Sequence, residues 1–390
     1  MPLIKKITGI AGFDEISEGG LPQGRIGIVV GEPGAGKTVF ALQTLVNRAL
    51  LLGEGGLFVN FEEPSERVIG NAESFDWDIH SLTPAKIRFL DGRLPLDTEH
   101  AGEFDLNGLL AQAKVLMQEV GATTIVFDGV DMLLSLLPDE ARERREIRRI
   151  DQWLLDNNLS CILSVKSFNG NERERSRHEF LHYVADCVTE LSGTLYAATH
   201  ARSLRIAKYR GSGYAANAFP AVITNHGIEV AATRGVRLSY PRFGERLSSG
   251  ILSLDVLMEG GYRRGTATLI SGAPGTSKTT FACHFVQAAC LRDETVVYVS
   301  LDETGSQIIG DATSIGIDLQ SFIASNKLVM ASLRSNSRNP EEHFVLIRRL
   351  LDENKPSCIV IDPISALIRT GSPFGSMICE DWSTKPEAAA

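Results

Sequence analysis

Apolar stretches of strand length alternate along this chain with stretches of helical period. Ile26-Gly27-Ile28-Val29-Val30 is followed by Val39 to Val46 at helical spacing, and Phe58-Val59-Asn60-Phe61 by a polar-faced segment from Pro64 to about Ser74. A short run at Ile87 to Asp91 precedes an amphipathic stretch from Leu106 to Val120, and that leads into Thr124-Ile125-Val126-Phe127-Asp128. Beyond it come a highly charged helix from Glu140 to Asp156, a strand at Cys161 to Val165, a polar loop from Asn169 to His178, and late strands at Ser203 to Ala207 and Ala221 to Thr224. Strands that alternate with helices predict an α/β fold, with right-handed crossovers and a largely parallel sheet covered on both faces. Active residues are then expected at the carboxyl ends of the strands.

The pattern occurs twice. GEPGAGKT at Gly31 to Thr38 has a counterpart in GAPGTSKT at Gly272 to Thr279. At the same offset, Asp14, Gly19, Gly20 and Gly24 correspond to Asp255, Gly260, Gly261 and Gly265. Further on, the acid pair Glu62-Glu63 corresponds to Asp302-Glu303, and Asp128 to Asp362. The chain is read as two copies of one phosphate-binding unit: a first domain over residues 1–232, a linker over 233–248 and a second domain over 249–390. The first copy runs on from Asp128 to His226, whereas Asp362 stands near the end of the sequence, so the second copy is expected to be C-terminally truncated. It should then have an open sheet edge, an uncovered apolar face, poor solubility and a frayed tail from Glu380 to Ala390.

GEPGAGKT fits G-x-x-x-x-G-K-[ST] between a strand and a helix, and GAPGTSKT repeats it except for its last glycine. Glycines at such a turn let successive N–H groups point at phosphate oxygens, and the helix adds its positive end. Candidate nucleotide-binding residues are therefore Gly31, Gly34, Ala35, Gly36, Lys37, Thr38 and Val39, and in the second copy Gly272, Gly275, Thr276, Ser277, Lys278, Thr279 and Thr280. Lys37 would reach the β- and γ-phosphates, and the Thr38 hydroxyl would occupy a Mg²⁺ position. Ser277 stands where the first copy has Gly36, which leaves the backbone less free to approach phosphate.

Hydrolysis needs a group that orients or deprotonates water. Glu62 and Glu63 end the strand after the P-loop helix, and because neighbours on a strand face opposite ways, one of the two aims at water while the other contacts structure or a subunit. A solvated turn that starts the next helix is the alternative. Asp128 closes an apolar run in the Walker B manner, so it would hold Mg²⁺ or Thr38 (as Asp362 would with Thr279), or else cap the following helix. In RSLRIAKYRGSG, Lys208 and Arg210 share one face of a strand. They would either reach a phosphate on a neighbouring subunit or blunt a sheet edge with charge.

Composition removes several classes. With 43% hydrophobic and 22% charged residues the chain has the make-up of a globular protein, and at 390 residues it is long for one core. No apolar run approaches the roughly 20 residues of a membrane span, and no apolar segment follows Lys5-Lys6 as in a signal peptide, so a cytoplasmic protein is expected. The six cysteines have no C-x-x-C spacing and read as reduced core residues. A net charge of −9 and the lack of basic, aromatic-interleaved loops argue against nucleic acid as a partner. The ARERREIRRID run in the charged helix reads as a solvated or subunit-facing surface.

The leader GFDEISEGGLPQGR, the P-loop, FVNFEEPSERVIGNAESFDWD, KYRGSG, ITNHGI and the second copy LSLDVLMEGGYRRGTATLISGAPGTSKTT together resemble the KaiC and KaiC-like proteins of the RecA superfamily, from about residue 7 to 370. The resemblance implies tandem RecA-like domains that bind ATP with Mg²⁺ between subunits of hexameric double rings and hydrolyse it in the first ring. It implies Ser/Thr autokinase and autophosphatase chemistry in the second ring; regulatory proteins are possible partners. It places Glu62 and Glu63 as the catalytic pair and Ser74 on the adenosine side. Lys208, Arg210 and Ser212 fall on the segment that reaches the neighbouring subunit's nucleotide, and Thr224 and Asn225 on late ribose-side positions. This favours a trans role for Lys208 and Arg210. The sequence departs from the family at Asn225 and Asp302, where Asp and Glu are usual, at Ser277, and beyond Asp362, where the phosphoacceptor segment no longer matches. ATP hydrolysis in a ring-forming signalling or clock-type protein is the expected function. An autokinase and a nucleotide-gated scaffold with negligible hydrolysis stand beside it.

Overall fold

The computed structural model describes residues 3–93, 106–137, 139–167, 180–196, 199–232, 244–333 and 340–368. The polar loop 169–178, most of the linker (233–243) and the tail 380–390 lie outside them. The chain divides into two compact units, one holding residues 1–194 and 200–232, the other 195–199 and 233–390.

In the first unit β1 (Lys5–Lys6) and β2 (Leu21–Pro22) form a small antiparallel ribbon ahead of the main sheet. That sheet has nine strands: β3 (Ile26–Gly31), β4 (Gly55–Asn60), β5 (Ile87–Asp91), β6 (Ala122–Asp128), β7 (Ser160–Lys166), β8 (Cys187–Tyr196), β9 (Thr199–Tyr209), β10 (Ala218–Thr224) and β11 (Gly227–Val230). Their order is β11-β10-β9-β8-β3-β7-β6-β4-β5. From β8 to β5 all pairs are parallel, and β10 runs antiparallel to both β9 and β11.

Alternation along the strands sends side chains into two cores. Val29, Phe58, Val126 and Ile162 meet the P-loop helix Lys37–Leu52 through Phe40, Ala41, Leu45 and Val46. Ile28, Leu57, Val59, Ile125, Phe127 and Leu163 meet the helices Leu106–Val120 and Glu140–Asp156 on the other side. Central strands apolar on both faces are what a parallel sheet covered by helices requires. The charged helix Glu140–Asp156 buries a stripe of Ile147, Ile150 and Leu154, so it is amphipathic rather than wholly solvated. Asp139 caps it by accepting from Arg142 N at 2.8 Å.

Two strands carry no clear signal in the pattern. β8 lies beside β3 at the centre of the sheet, yet its sequence CVTELSGTLY mixes polar with apolar positions; Glu190 is used in an ion pair with Arg205 of β9 at 2.6 Å. β11 is a four-residue return strand.

The second unit repeats the plan in part. β12 (Arg246–Leu247) and β13 (Tyr262–Arg263) reproduce the leading ribbon. β14 (Val296–Ser300), β15 (Leu328–Ser332) and β16 (Cys358–Asp362) form a parallel sheet in the order β15-β14-β16. The strand that the repeat implies ahead of the second P-loop is unpaired among the described residues: 266–273 carry no strand, and Leu269 is 78% exposed. In the first unit β3 is held from both sides by β7 and β8, and the described part of the second unit contains no counterpart of either. Leu252, Val256 and Leu257 are likewise exposed on a short helix, Leu252–Leu257, that buries none of its residues.

Candidate functional site

The strongest site lies at the carboxyl ends of β3, β6 and β4. β3 ends at Gly31, and the chain turns through Glu32 to Gly36 into the helix that starts at Lys37. Gly34 and Gly36 adopt φ values of +77° and +105°, a left-handed region that costs little only for glycine. At Gly36 space matters too, because an added Cβ would sit 2.9 Å from Ile223 Cδ1. Ala35 is buried and Val39 half-buried against the core, which fixes the loop to the sheet. Lys37 Nζ donates to Gly31 O at 3.0 Å and Glu32 O at 3.2 Å, keeping the ammonium within the curve of the loop.

Thr38 Oγ1 donates to Asp128 Oδ2 at 2.9 Å, across 90 residues of sequence. Asp128 is 5% exposed, and its other oxygen accepts from Ser164 Oγ of β7. Ser164 Oγ in turn accepts from Gly129 N at 2.8 Å, so the aspartate and the turn that follows it share one anchor. Burial raises the Asp128 pKa against the opposing pull of the Ser164 and Thr38 hydrogen bonds. Ser164 was hidden in a strand read only as apolar; a lone serine inside the CILSV run was the available signal.

Glu62 lies under Gly129, where a Cβ would fall 2.7 Å from Glu62 Cγ, and so next to the turn that Asp128 begins. Its pKa is raised, first by desolvation and then by the negative charges of Asp131 and Asp128, with Lys37 opposing. Glu63 goes elsewhere, accepting from Asn71 Nδ2 of the helix that follows, Ser65–Ala72, at 3.4 Å. The two acids therefore occupy different surroundings.

Of a second group of predicted residues, Thr224 and Asn225 lie on a turn held to the P-loop helix, while Ser74 is exposed two residues before Asp76. Ser74 Oγ donates to Asn71 O at 2.7 Å, and the segment after it packs on the β10–β11 turn. Asp76 N donates to Asn225 O at 2.7 Å, Asn225 Nδ2 to Asp76 Oδ2 at 2.6 Å, and Thr224 Oγ1 to Glu229 at 2.7 Å. Trp77 Nε1 donates to His226 O at 3.1 Å, and Gln43 of the P-loop helix accepts from Ile228 N at 2.7 Å. Gln43 and Trp77, which sequence reasoning passed over, thus tie the Thr224–Asn225 turn to the P-loop helix.

Lys208, Arg210 and Ser212 are not brought to this site within the chain. Lys208 Nζ donates to Ala185 O at 2.7 Å and to His182 O, and Arg210 donates to Tyr183 O at 2.7 Å. Desolvation and the Arg210 charge lower the Lys208 pKa. Ser212 Oγ donates to Gly213 O at 2.9 Å.

The second copy keeps the core contact. Thr279 Oγ1 donates to Asp362 Oδ2 at 2.7 Å, and Lys278 Nζ donates to Gly272 O at 3.1 Å and Ala273 O at 2.9 Å. Thr276 Oγ1 donates to Ala273 O at 2.8 Å, and Thr280 is half-buried in the first turn of the helix. Three features differ. Residues 272–277 are exposed throughout, Gly275 keeps its left-handed φ of +79° but Ser277 is forced to +63°, and Tyr298 donates to Asp362 Oδ2 at 2.9 Å where the first copy has Phe58. Asp302 and Glu303 are exposed beyond β14.

Among the described residues no group of three or more His, Cys, Asp or Glu could hold a metal by itself. A hydroxyl and one carboxylate are nonetheless what Mg²⁺ uses when phosphates and water complete its shell, so Thr38 with Asp128, and Thr279 with Asp362, fit that ion. No helix among the described residues is long and apolar enough to cross a membrane.

Comparison with known proteins agrees with this geometry. The profile of the family described as ATPase: KaiC matches residues 7–235 and 247–374. The chain is 35% identical over 376 residues to circadian clock protein KaiC2 of Synechocystis sp., covering 95% of this chain and 66% of that protein. It is 32% identical over 369 residues to the circadian clock oscillator protein KaiC of Synechococcus elongatus, covering 94% and 71%. It is 31% identical over 372 residues to circadian clock protein KaiC3 of Synechocystis sp., covering 94% and 73%. The chain thus spans about two thirds of the length of the first of these relatives. With two P-loops on two RecA-like α/β units and matches of this extent, the chain belongs to the KaiC ATPase family.

Proposed function

We propose that the first unit, residues 1–232, binds ATP with Mg²⁺ and hydrolyses it, in a protein that assembles into nucleotide-dependent rings for signalling or clock-type regulation. The observation that carries this reading is the Thr38–Asp128 contact at 2.9 Å, with Glu62 under the Gly129 turn that follows Asp128 and the Lys37 ammonium held in the P-loop. Gly34, Gly36 and the start of the Lys37 helix offer N–H groups to the phosphates, and Lys37 neutralises charge as the γ-phosphoryl leaves. Mg²⁺, held through Thr38 and Asp128, would supply charge neutralisation to the phosphates. Thr38 and Asp128 orient its side of the site. Glu62 accepts the proton of the attacking water, a role for which a raised pKa suits it. Glu63 holds the helix that follows it through Asn71.

Ser74, Thr224 and Asn225 form the nucleoside side, and Gln43 holds the turn that carries Thr224 and Asn225 to the P-loop helix. Lys208, Arg210 and Ser212 stand apart from their own P-loop, which supports their use by a neighbouring copy of the chain, with the basic pair stabilising transferred charge in trans. The second unit, residues 249–390, is a further nucleotide-binding unit through Gly272 to Thr280, and the relatives' names as clock proteins support the regulatory setting.

The test is phosphate release from Mg²⁺–ATP by the full chain and by Glu62→Gln. The variant should bind nucleotide with unchanged affinity and release phosphate at least about tenfold more slowly. Equal rates would overturn the hydrolytic reading.

A further inference from the structure

Three adjacent strands end in register on polar side chains. Asn60 of β4 is the partner of Asp128 on β6 and of Asp91 on β5. Side chains in register on parallel strands share a face, so all three rise toward the same layer of helices. Asp128 belongs to the phosphate end described above. Asp91 and Asn60 form a separate cluster around Ser65, the first residue of the helix Ser65–Ala72. Asp91 Oδ1 accepts from Ser65 N at 2.8 Å and from Ser65 Oγ at 2.8 Å, and Asn60 Nδ2 donates to Ser65 Oγ at 2.8 Å.

Between Asn60 and Ser65 lie only Phe61, Glu62, Glu63 and Pro64. The far end of the acidic turn is therefore tied directly to the Asp91 carboxylate through Ser65, and the near end to the same pair through the Asn60 bond to Ser65 Oγ. The backbone is fixed at the same points: Phe61 N donates to Asp128 O at 3.0 Å, Gly92 N donates to Asn60 O at 2.8 Å, and Pro64 locks its own φ at −62°. A carboxylate at the start of a helix is also favoured by the helix dipole. Asn60 is 1% exposed, which makes it an internal strut rather than a surface contact.

Among its described residues the second unit lacks a carboxylate at this place. Ser300, Gly305 and Ser332 stand where the first has Asn60, Ser65 and Asp91. There Gly305 N donates to a neutral hydroxyl, Ser332 Oγ, at 2.7 Å, and Ser300 Oγ turns to Glu303 O at 2.7 Å. The two copies thus share the P-loop contacts but differ in how the acid pair is held.

We propose that Asp91 is a positioning residue for hydrolysis at the first site: an anionic clamp, acting through Ser65 and Asn60, that sets the Glu62–Glu63 turn against the attacking water. The inference rests on the hydrolytic reading of that site. A displacement of a catalytic group by about 1 Å is enough to lower a rate by on the order of a hundredfold.

The experiment compares the full chain with Asp91→Ser, which installs the second copy's residue, and Asp91→Asn, which keeps an acceptor for Ser65 N–H. Asp91→Ser should lower kcat by about tenfold or more while KM and the nucleotide Kd stay within about twofold, the signature of an interaction used in the transition state. Asp91→Asn should recover part of that loss. Amide hydrogen exchange at Glu62 to Ser65 should accelerate in Asp91→Ser and not in Lys37→Ala. A wild-type kcat in Asp91→Ser, or losses in kcat that only follow losses in Kd and melting temperature, overturns the clamp while leaving the proposed function in place. Phosphate release insensitive to Lys37→Ala overturns both.

Discussion

Ser164→Ala isolates the anchor under the Walker-type aspartate. The hydroxyl is 1% exposed, donates to Asp128 Oδ1 and accepts from Gly129 N at 2.8 Å. Removing it deletes one hydrogen bond to a carboxylate, about 1.5–3 kcal/mol, and leaves a buried N–H without an acceptor, about 1–3 kcal/mol. Burial of the alanine methyl in place of a hydroxyl returns about 1 kcal/mol. The net cost is about 3 kcal/mol, or roughly 6–12 °C in the melting temperature of a unit of this size. Tryptophan fluorescence can follow it, because Trp77 and Trp153 both lie in the first unit. Phosphate release should fall as well, since Asp128 Oδ1 loses the donor that fixes it and only the Thr38 bond to Oδ2 stays. A melting temperature within about 1 °C of wild type would refute the anchor.

Other consequences follow from the same geometry. Glu62 must be ionised to accept a proton, and its pKa is raised by desolvation, Asp131 and Asp128, so kcat should fall as the pH drops through a value above the ordinary glutamate range. Asp131→Asn removes one of the raising charges and should move that acid limb to lower pH in a kcat–pH profile; an unmoved limb would contradict the assignment. Ser277 holds a left-handed φ of +63° that glycine adopts freely. Ser277→Gly should therefore stabilise the second unit by about 1 kcal/mol in denaturant titration, whereas Gly36→Ala should cost the first unit about 1–3 kcal/mol, because a Cβ there meets Ile223.

What could be read from the sequence follows from how local each signal is. The P-loop carries its chemistry in eight consecutive residues with a strand before and a helix after, so Gly31 to Thr38 and the distant Asp128 came together as the pattern required. The parallel strands were legible because they are apolar on both faces, as at Ile26–Gly31. β8 was not, because its polar positions find partners on neighbouring strands and in the sheet rather than in its own segment. Ser164, Asp91, Gln43 and Trp77 act through contacts 26 to 185 residues away in sequence, and no spacing rule selects them. The second copy misled in one respect. Its motif is kept except at Ser277, but the strand ahead of it depends on neighbours that the described residues do not supply, and so it stays outside the sheet.

The central claim is that the first P-loop is the working one. It is tested most directly by phosphate release from Mg²⁺–ATP in two variants of the full chain measured side by side, Lys37→Ala and Lys278→Ala. The account predicts that Lys37→Ala abolishes nearly all turnover and that Lys278→Ala keeps most of it, because among the described residues the first loop, and not the second, is seated on a paired strand beside a clamped acid turn. Turnover that survives Lys37→Ala and disappears with Lys278→Ala would contradict it.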